Sequence, residues 1–169
     1  ILRQNLWIFS KIVVFLQHKM PFNSSNYQQI LENISKYSNK NTKMVAISKN
    51  HSVESIKVAI NSGIRIFGEN KVQEAEKKYG NLKNTFQDIE LHLTGPLQTN
   101  KVKNAIKIFD LFQTLDREKL ANEFSKHTES IKNKIFFIQV NIGCEKTKSG
   151  ILPEVADDFI IYCKQDLKL

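Results

Sequence analysis

Apolar positions along this chain follow two patterns, one with a helical period and one of short continuous runs. The first helical set is Tyr27, Ile30, Leu31, Ile34 and Tyr37. Its spacing predicts an amphipathic helix over residues 24–37. The apolar run at residues 44–48 then predicts a strand that is buried on both faces. Ser52 and Gly63 are suited to begin and end the helix that follows.

The same alternation of strand and helix continues to the end of the sequence. Apolar runs predict further strands at residues 64–67, 91–94, 111–115 and 135–142. A helical pattern follows each of these runs, and Asp116 is suited to cap the helix after the run at 111–115. Pro153 is suited to begin the last helix, and residues 167–169 are suited to begin a sixth strand.

Strands that alternate with helices at this spacing predict parallel βαβ units and an α/β fold. Right-handed crossovers leave two architectures, an open doubly wound sheet and a barrel. Periodicity alone does not choose between them. A glycine-rich dinucleotide fingerprint is absent after the first predicted strand, which disfavours a dinucleotide-binding sheet.

The net charge alone excludes few classes of protein. Lysine and arginine total 25 against 17 acidic residues, which gives a formal net charge of +8 over 169 residues. Nearly all of this charge is lysine, since the arginines are Arg3, Arg65 and Arg117. The lysines are scattered, whereas nucleic-acid-binding domains concentrate basic residues in a cluster or stripe. We therefore expect a single domain without a nucleic-acid partner.

Cysteine and histidine do not indicate a metal site. Cys144 and Cys163 are far apart, and the histidines show no spacing typical of metal ligands. Two cysteines without a disulfide pattern fit a reducing compartment, so we expect a cytoplasmic protein.

The first residues differ from the rest of the chain. Residues 6–16 are mostly apolar, but this stretch is too short to span a bilayer and no small-residue cleavage site follows it. The sequence begins at Ile1, and Met20 is a natural start. We expect residues 1–19 to be an upstream or non-native leader, with a targeting segment as the alternative. Residues 20–169 are then the folded domain, which has no membrane span.

In both architectures, ligands bind where the strands end and the loops begin. Lys49 directly follows the apolar run at 44–48 and alternates onto the same face as Val45 and Ile47, so its stem is expected near the core. A lysine amine partly removed from water becomes a nucleophile at neutral pH and can form a Schiff base with an aldehyde cofactor. A solvated lysine at a strand end is the alternative, and the local sequence alone favours it.

Other strand ends carry polar residues with less definite roles. Asn70 either caps a helix or contacts a ligand, and Glu69 is expected to balance nearby lysines. His92 lies within a strand and is expected to be a core histidine with satisfied hydrogen bonds. Lys148, in the loop after the run at 135–142, either meets a phosphate or is a solvated loop lysine.

Taken together, four segments resemble those of a known family. They are residues 45–49 (VAISK), 67–70 (FGEN), 92–101 (HLTGPLQTNK), and 138–142 (IQVNI) followed by 148–150 (KSG). In this order and at this spacing they are similar to the pyridoxal-phosphate homeostasis proteins, which are stand-alone relatives of the N-terminal barrel of alanine racemase. The similarity runs from about residue 44 to residue 150.

The resemblance implies a TIM-like barrel and a site for pyridoxal 5′-phosphate. Lys49 matches the lysine that forms a Schiff base with this cofactor. Asn70 matches a position that lines the cofactor, and Lys148 matches a lysine in the loop after the fifth strand. Members of the family bind the cofactor without turning over a substrate, and they buffer it or deliver it to apo-enzymes inside the cell. The resemblance thus implies a homeostasis protein that is not an enzyme, and we expect a monomer.

The sequence departs from the family in length. A complete barrel needs eight strands and about 250 residues. The 169 residues of this sequence hold about the first five to six strands. The family holds the cofactor's phosphate in Ser/Thr- and Gly-containing segments late in the chain, and this sequence lacks those segments. We therefore expect an incomplete barrel with weakened cofactor affinity, and a truncated inactive product is the main alternative.

A pyridoxal-phosphate-dependent amino-acid racemase is a further alternative. That chemistry needs an acid–base group on the opposite face of the cofactor, which the second domain of alanine racemase supplies with a tyrosine. The tyrosines of this chain are Tyr27, Tyr37, Tyr79 and Tyr162. All of them lie on predicted helices, so the sequence disfavours racemase activity.

Overall fold

The computed structural model describes residues 22–37 and 42–169, together with the backbone of residues 12–15. The chain forms two compact units, Ile1–Phe67 and Gly68–Leu169. Both units are built from parallel strands that alternate with helices, as the sequence pattern predicts.

The first unit contains β1 (Ile12–Phe15), α1 (Ser24–Tyr37), β2 (Met44–Ile47) and α2 (Val53–Asn61). Strands β1 and β2 pair in parallel, with Val13 opposite Val45. In β2, Val45, Ala46 and Ile47 are all buried, which confirms a strand covered on both faces. The predicted bounds of α1 are also confirmed.

Local hydrogen bonds explain both ends of α2. The Ser52 hydroxyl accepts a hydrogen bond from the backbone N–H of Ser55 at 3.2 Å, which satisfies one of the free donors of the first turn. At the other end Gly63 has a φ of +101°, and its N–H donates to Ile60 O at 3.0 Å. Glycine adopts this left-handed conformation without strain.

Strand β3 spans Ile66–Glu69, so the predicted bounds of 64–67 are wrong by two residues. The N–H of Ile64 donates to Ala59 O at 3.1 Å, which makes Ile64 part of the carboxyl end of α2. At the other end the strand continues through Gly68 and Glu69, both of which are buried. A charged residue inside a strand is the reason that the apolar pattern misplaced it.

The second unit continues from β3 with α3 (Val72–Thr85), β4 (Glu90–Leu93), α4 (Val102–Ile108), β5 (Leu111–Leu115), α5 (Glu118–Ser125), α6 (Thr128–Ile131), β6 (Ile135–Ile138) and α7 (Ala156–Ile161). The backbone N–H of Thr94 donates to Glu69 O at 2.9 Å, which connects the ends of β3 and β4. Strands β4, β5 and β6 then pair in parallel in chain order.

Aromatic side chains form the centre of the second unit. Phe112 of β5 stacks on Phe136 of β6 with ring centroids 5.3 Å apart. Phe124 of α5 meets both rings edge-on, at 4.7 Å from Phe112 and 4.8 Å from Phe136. Stacked and edge-to-face pairs of this kind add to the free energy of burial, and they anchor α5 against the sheet.

Two predictions for the second unit are wrong. Residue Asp116 does not cap α5: the N-cap is Arg117, and the Asp116 carboxylate instead accepts from the Arg117 guanidinium. Residues 167–169 do not form a strand, because Lys168 has a φ of 56° and the N–H groups of its two neighbours bond back to the preceding helical segment. The N–H of Leu167 donates to Tyr162 O at 3.1 Å, and the N–H of Leu169 donates to Cys163 O at 3.0 Å.

The strand predicted at 135–142 is shorter than expected, since β6 ends at Ile138. The chain then makes an isolated parallel bridge between Val140 and Ile151, which closes the intervening residues into a loop. Strand β1 lies within the predicted leader, and the other residues of 1–19 lie outside the described part of the chain. The division at residue 19 remains a prediction.

Strand order supports the predicted fold class. In each unit the described strands are parallel, and neighbouring strands follow chain order. A doubly wound sheet reverses its strand order at a switch point, and the described strands of neither unit do so. This arrangement is consistent with an incomplete TIM-like (β/α) barrel.

Candidate functional site

Lys49 lies in a tight turn at the carboxyl end of β2. The N–H of His51 donates to Ser48 O at 3.1 Å, and Asn50 has a φ of 63°. Asparagine tolerates this left-handed conformation better than most residues. Ser48 is buried and Lys49 is half-buried, so the backbone of the lysine is held against the first unit while its side chain retains access to solvent.

Asn70 lies at the carboxyl end of β3, in the second unit. Its side-chain Oδ1 accepts a hydrogen bond from the Thr94 hydroxyl at 2.9 Å, and the same hydroxyl lies 3.2 Å from Glu69 O. Gly95 makes this contact possible. A Cβ at position 95 would lie 2.5 Å from Asn70 O and 2.8 Å from Asn70 Cα, closer than atoms can pack.

A buried carboxylate lies directly before Asn70. Glu69 is fully buried, and Lys78 Nζ of α3 lies 2.9 Å from its Oε1. The same ammonium lies 2.6 Å from Glu74 Oε1, so one lysine bridges two acidic side chains. A buried charge requires such a partner. This arrangement agrees with the prediction that Glu69 balances nearby lysines.

A cleft of about 440 Å³ lies at the carboxyl ends of β4, β5 and β6. Its lining residues are Thr94, Pro96, Thr114, Gln139, Val140, Asn141, Ile142, Gly143, Glu145, Lys148 and Ser149. The volume lies within the range of small-molecule sites, and polar side chains supply hydroxyl, amide and ammonium groups. Thr114 is held in place because its buried hydroxyl donates to Gly95 O at 2.7 Å.

Lys148 lies on the loop after β6 and lines this cleft. Its side chain is 64% exposed, and its ammonium lies 2.5 Å from Glu145 Oε1. Thr94 contributes to the same cleft and also binds Asn70. Asn70 and Lys148 therefore belong to one end of the second unit, whereas Lys49 belongs to the first unit.

His92 is a core histidine, as the sequence predicts. Its ring is fully buried in β4, with Nδ1 2.9 Å from the Gln113 amide nitrogen and Nε2 2.6 Å from Glu90 Oε1. With the amide donating to Nδ1, the imidazole donates from Nε2 to the carboxylate. Both ring nitrogens thus have partners, which is what burial of a polar ring requires.

We also searched the residues that the structure describes for metal sites and membrane spans. They hold no group of three or more His, Cys, Asp or Glu side chains that could bind a metal ion. No helix in the described ranges is long and apolar enough to cross a membrane.

Sequence reasoning gave no role to Thr94, Thr114 or Asn141. The structure places all three in the wall of the cleft. Only their position in the sequence could have pointed to them, since each lies at or just beyond the carboxyl end of a strand. Glu145 carried no signal at all, because only the folded loop brings its carboxylate to Lys148.

The sequence profile of the alanine racemase N-terminal domain matches residues 23–169. The chain belongs to this family. Two curated relatives are pyridoxal phosphate homeostasis proteins, which confirms the resemblance found in the sequence. The protein from Buchnera aphidicola is 44% identical over 116 residues, 68% of this chain and 50% of the relative. The protein from Aquifex aeolicus is 42% identical over 123 residues, 71% of this chain and 52% of the relative.

Solved structures give the same result for the fold. PipY of Synechococcus elongatus, determined without pyridoxal phosphate, matches with a TM-score of 0.71 at 29% identity and covers 81% of this chain and 64% of PipY. The PipY structure with pyridoxal phosphate bound has a TM-score of 0.68 at 26% identity. This chain spans about half the length of the curated relatives that it matches.

Proposed function

We propose that this chain binds pyridoxal 5′-phosphate through a Schiff base on Lys49 and takes part in the homeostasis of that cofactor inside the cell. The observation that carries the proposal is the position of Lys49. It follows a strand whose last three residues are buried, within a segment that resembles the cofactor-binding segment of the family. A relative of the same fold, PipY, has been solved with pyridoxal phosphate bound.

The chemistry of the residues proposed to hold such a cofactor suits it. When bound, pyridoxal phosphate supplies an aldehyde that a lysine amine attacks. Lys49 offers that amine from a fixed turn, and Asn70 and Lys148 are proposed to contact the cofactor without a covalent bond. Gly95 permits the close packing that orients the Asn70 side chain. Lys148 contributes a positive charge suited to an anionic group.

We propose that the chain does not turn over a substrate. A racemase would need an acid–base group facing the cofactor. Tyr27 and Tyr37 lie on α1, Tyr79 is fully buried on α3, and Tyr162 lies on the last helical segment, where its hydroxyl donates to Asn122 at 3.0 Å. Alanine incubated with the loaded protein in deuterium oxide should therefore retain its α-proton. Exchange of that proton would support a racemase instead.

The proposed role in cofactor homeostasis also implies a location, an oligomeric state and partners. We propose that the chain acts in the cytoplasm as a monomer and passes the cofactor to pyridoxal-phosphate-dependent apo-enzymes. A nucleic-acid role is not proposed, because the lysines of the sequence are scattered.

The test of the proposal is a spectroscopic titration of the full chain with pyridoxal phosphate, before and after borohydride. A visible Schiff-base band should form, and borohydride should fix the cofactor to Lys49, as identified by peptide mass spectrometry. The Lys49→Ala variant should lack the band. Lys43→Ala is the matched control, because Lys43 is an exposed lysine just before the same strand.

Two outcomes would contradict the proposal. If Lys49→Ala keeps the band, another lysine carries the cofactor. If the wild-type chain gives no band while circular dichroism and cooperative melting show that it is folded, then the chain is an inactive product of the family.

A further inference from the structure

The loop between β6 and α7 is organised around Asn141. Asn141 is only 8% exposed although the loop around it is open to solvent. Its Oδ1 accepts from the N–H of Glu145 at 3.3 Å. Its Nδ2 donates to Glu145 O at 2.9 Å and lies 3.4 Å from Lys148 O. One amide therefore holds the backbone of both members of the Glu145–Lys148 ion pair.

The far end of the loop also closes onto Asn141. Gly150 has a φ of +129°, and a Cβ at that position would lie 2.7 Å from Asn141 N. The N–H of Asn141 donates to Ile151 O at 2.9 Å, and the N–H of Ile151 donates to Gln139 O at 2.8 Å. The loop thus leaves β6 and returns beside it, with the Asn141 side chain in its centre.

We infer that Asn141 is a positioning residue that fixes Lys148 at the cleft for contact with the bound cofactor. The inference rests on the proposed function, in which Lys148 meets the anionic cofactor. A lysine side chain is flexible, and a charged contact from it is worth most when its backbone does not move. Asn141 supplies that fixed backbone through its bonds to the loop.

The test is a double-mutant cycle on the affinity for pyridoxal phosphate, measured from the Schiff-base band of the full chain. Lys148→Ala should weaken the Kd about tenfold, the loss expected for one charged hydrogen bond. Asn141→Asp keeps the shape and the acceptor of the side chain but loses both donated bonds. It should weaken the Kd about three- to tenfold in the wild-type background and less than about twofold in the Lys148→Ala background.

Asn133→Asp controls for the added negative charge, because Asn133 is exposed and lies before β6. It should leave the Kd unchanged.

A second measurement reports on the loop without any cofactor. Cys144 is an exposed residue of the same loop, and Cys163 is buried. Burial raises the pKa of the Cys163 thiol to about 11, so a fluorophore will attach at Cys144. The anisotropy of that fluorophore should fall in Asn141→Asp, because the loop loses two of its internal bonds, and should be unchanged in Asn133→Asp.

The outcomes separate this inference from the proposed function. Loss of the band in wild type, or its persistence in Lys49→Ala, rejects the proposed function. A wild-type band with an unchanged Kd in Lys148→Ala rejects the positioning role, since there is then nothing to position. An Asn141→Asp effect of equal size in both backgrounds also rejects it, because the residue then acts independently of Lys148.

Discussion

Two glycines of the second unit differ sharply in what surrounds them. A Cβ on Gly95 would meet the backbone of Asn70 at 2.5 Å, whereas a Cβ on Gly80 in α3 would meet nothing within 4 Å. We predict that Gly95→Ala lowers the free energy of unfolding by about 1–3 kcal/mol, because the backbone of Asn70 must shift. The same variant should weaken the binding of pyridoxal phosphate.

Gly80→Ala is the control and should raise stability by roughly 0.5–1 kcal/mol, since alanine favours a helix interior. Thermal and urea unfolding of both variants measure these changes. An equal effect of the two substitutions would show that the approach of residue 95 to Asn70 is not tight in solution.

The candidate site residues differed in how strongly the sequence pointed to them. Lys49 was singled out as a candidate because it directly follows a short apolar run and because its segment resembles the family's. Asn141 was recognisable only as a polar residue near a strand end. Its role depends on the carbonyl groups of Glu145 and Lys148, which the backbone of the loop brings to it. A one-dimensional pattern does not record that geometry.

At the scale of whole elements, Asp110 connects the amino ends of several strands. Its Oδ2 accepts from the N–H of Leu91 in β4 at 2.8 Å and lies 2.5 Å from Lys83 Nζ of α3. Lys134, just before β6, lies 3.8 Å from its Oδ1. Burial lowers the pKa of Lys134, and the Asp110 carboxylate opposes that effect. One carboxylate therefore offsets the burial of two ammonium groups.

We predict that Asp110→Asn lowers the free energy of unfolding by about 1–2 kcal/mol, because two half-buried lysines lose their counter-charge. The comparison is Glu129→Gln, which removes an exposed pair with Lys132. That change should cost less than about 0.5 kcal/mol, as surface pairs do. Urea unfolding at low and high salt would measure both. Equal losses would mean that Asp110 acts as an ordinary surface charge.

The elements themselves were largely predictable, and the errors have physical causes. The bounds of α1 and β5 follow directly from apolar spacing. Strand β3 was misplaced because Glu69 is buried through its bond to Lys78, which an apolar pattern does not anticipate. Residues 167–169 were predicted to begin a strand from two leucines, but the N–H groups of Leu167 and Leu169 bond back to the preceding helical segment instead.

At the scale of the whole molecule, one edge of the second unit is apolar. Strand β6 pairs with β5 on one side, and among the described residues no strand pairs with its other side. Ile135 on this strand is 51% exposed. An exposed apolar edge strand is a site for association between chains.

We predict that Ile135→Lys slows aggregation on heating, because a charge on the edge opposes pairing with another chain. Val58→Lys is the matched control, since Val58 is also 51% exposed but lies on α2. Light scattering during a temperature ramp compares the two. A similar benefit from both would point to net charge rather than to the edge strand.

Strand order within each unit has a consequence for how the chain folds during its synthesis. Because neighbouring strands follow chain order, residues that pair across two strands are separated in sequence by a single βα segment. Short separations of this kind favour fast folding, since each contact closes only a small loop of chain. Within each unit, we expect a βα segment to dock on its predecessor soon after it leaves the ribosome. Each unit then forms strand by strand at the pace of translation.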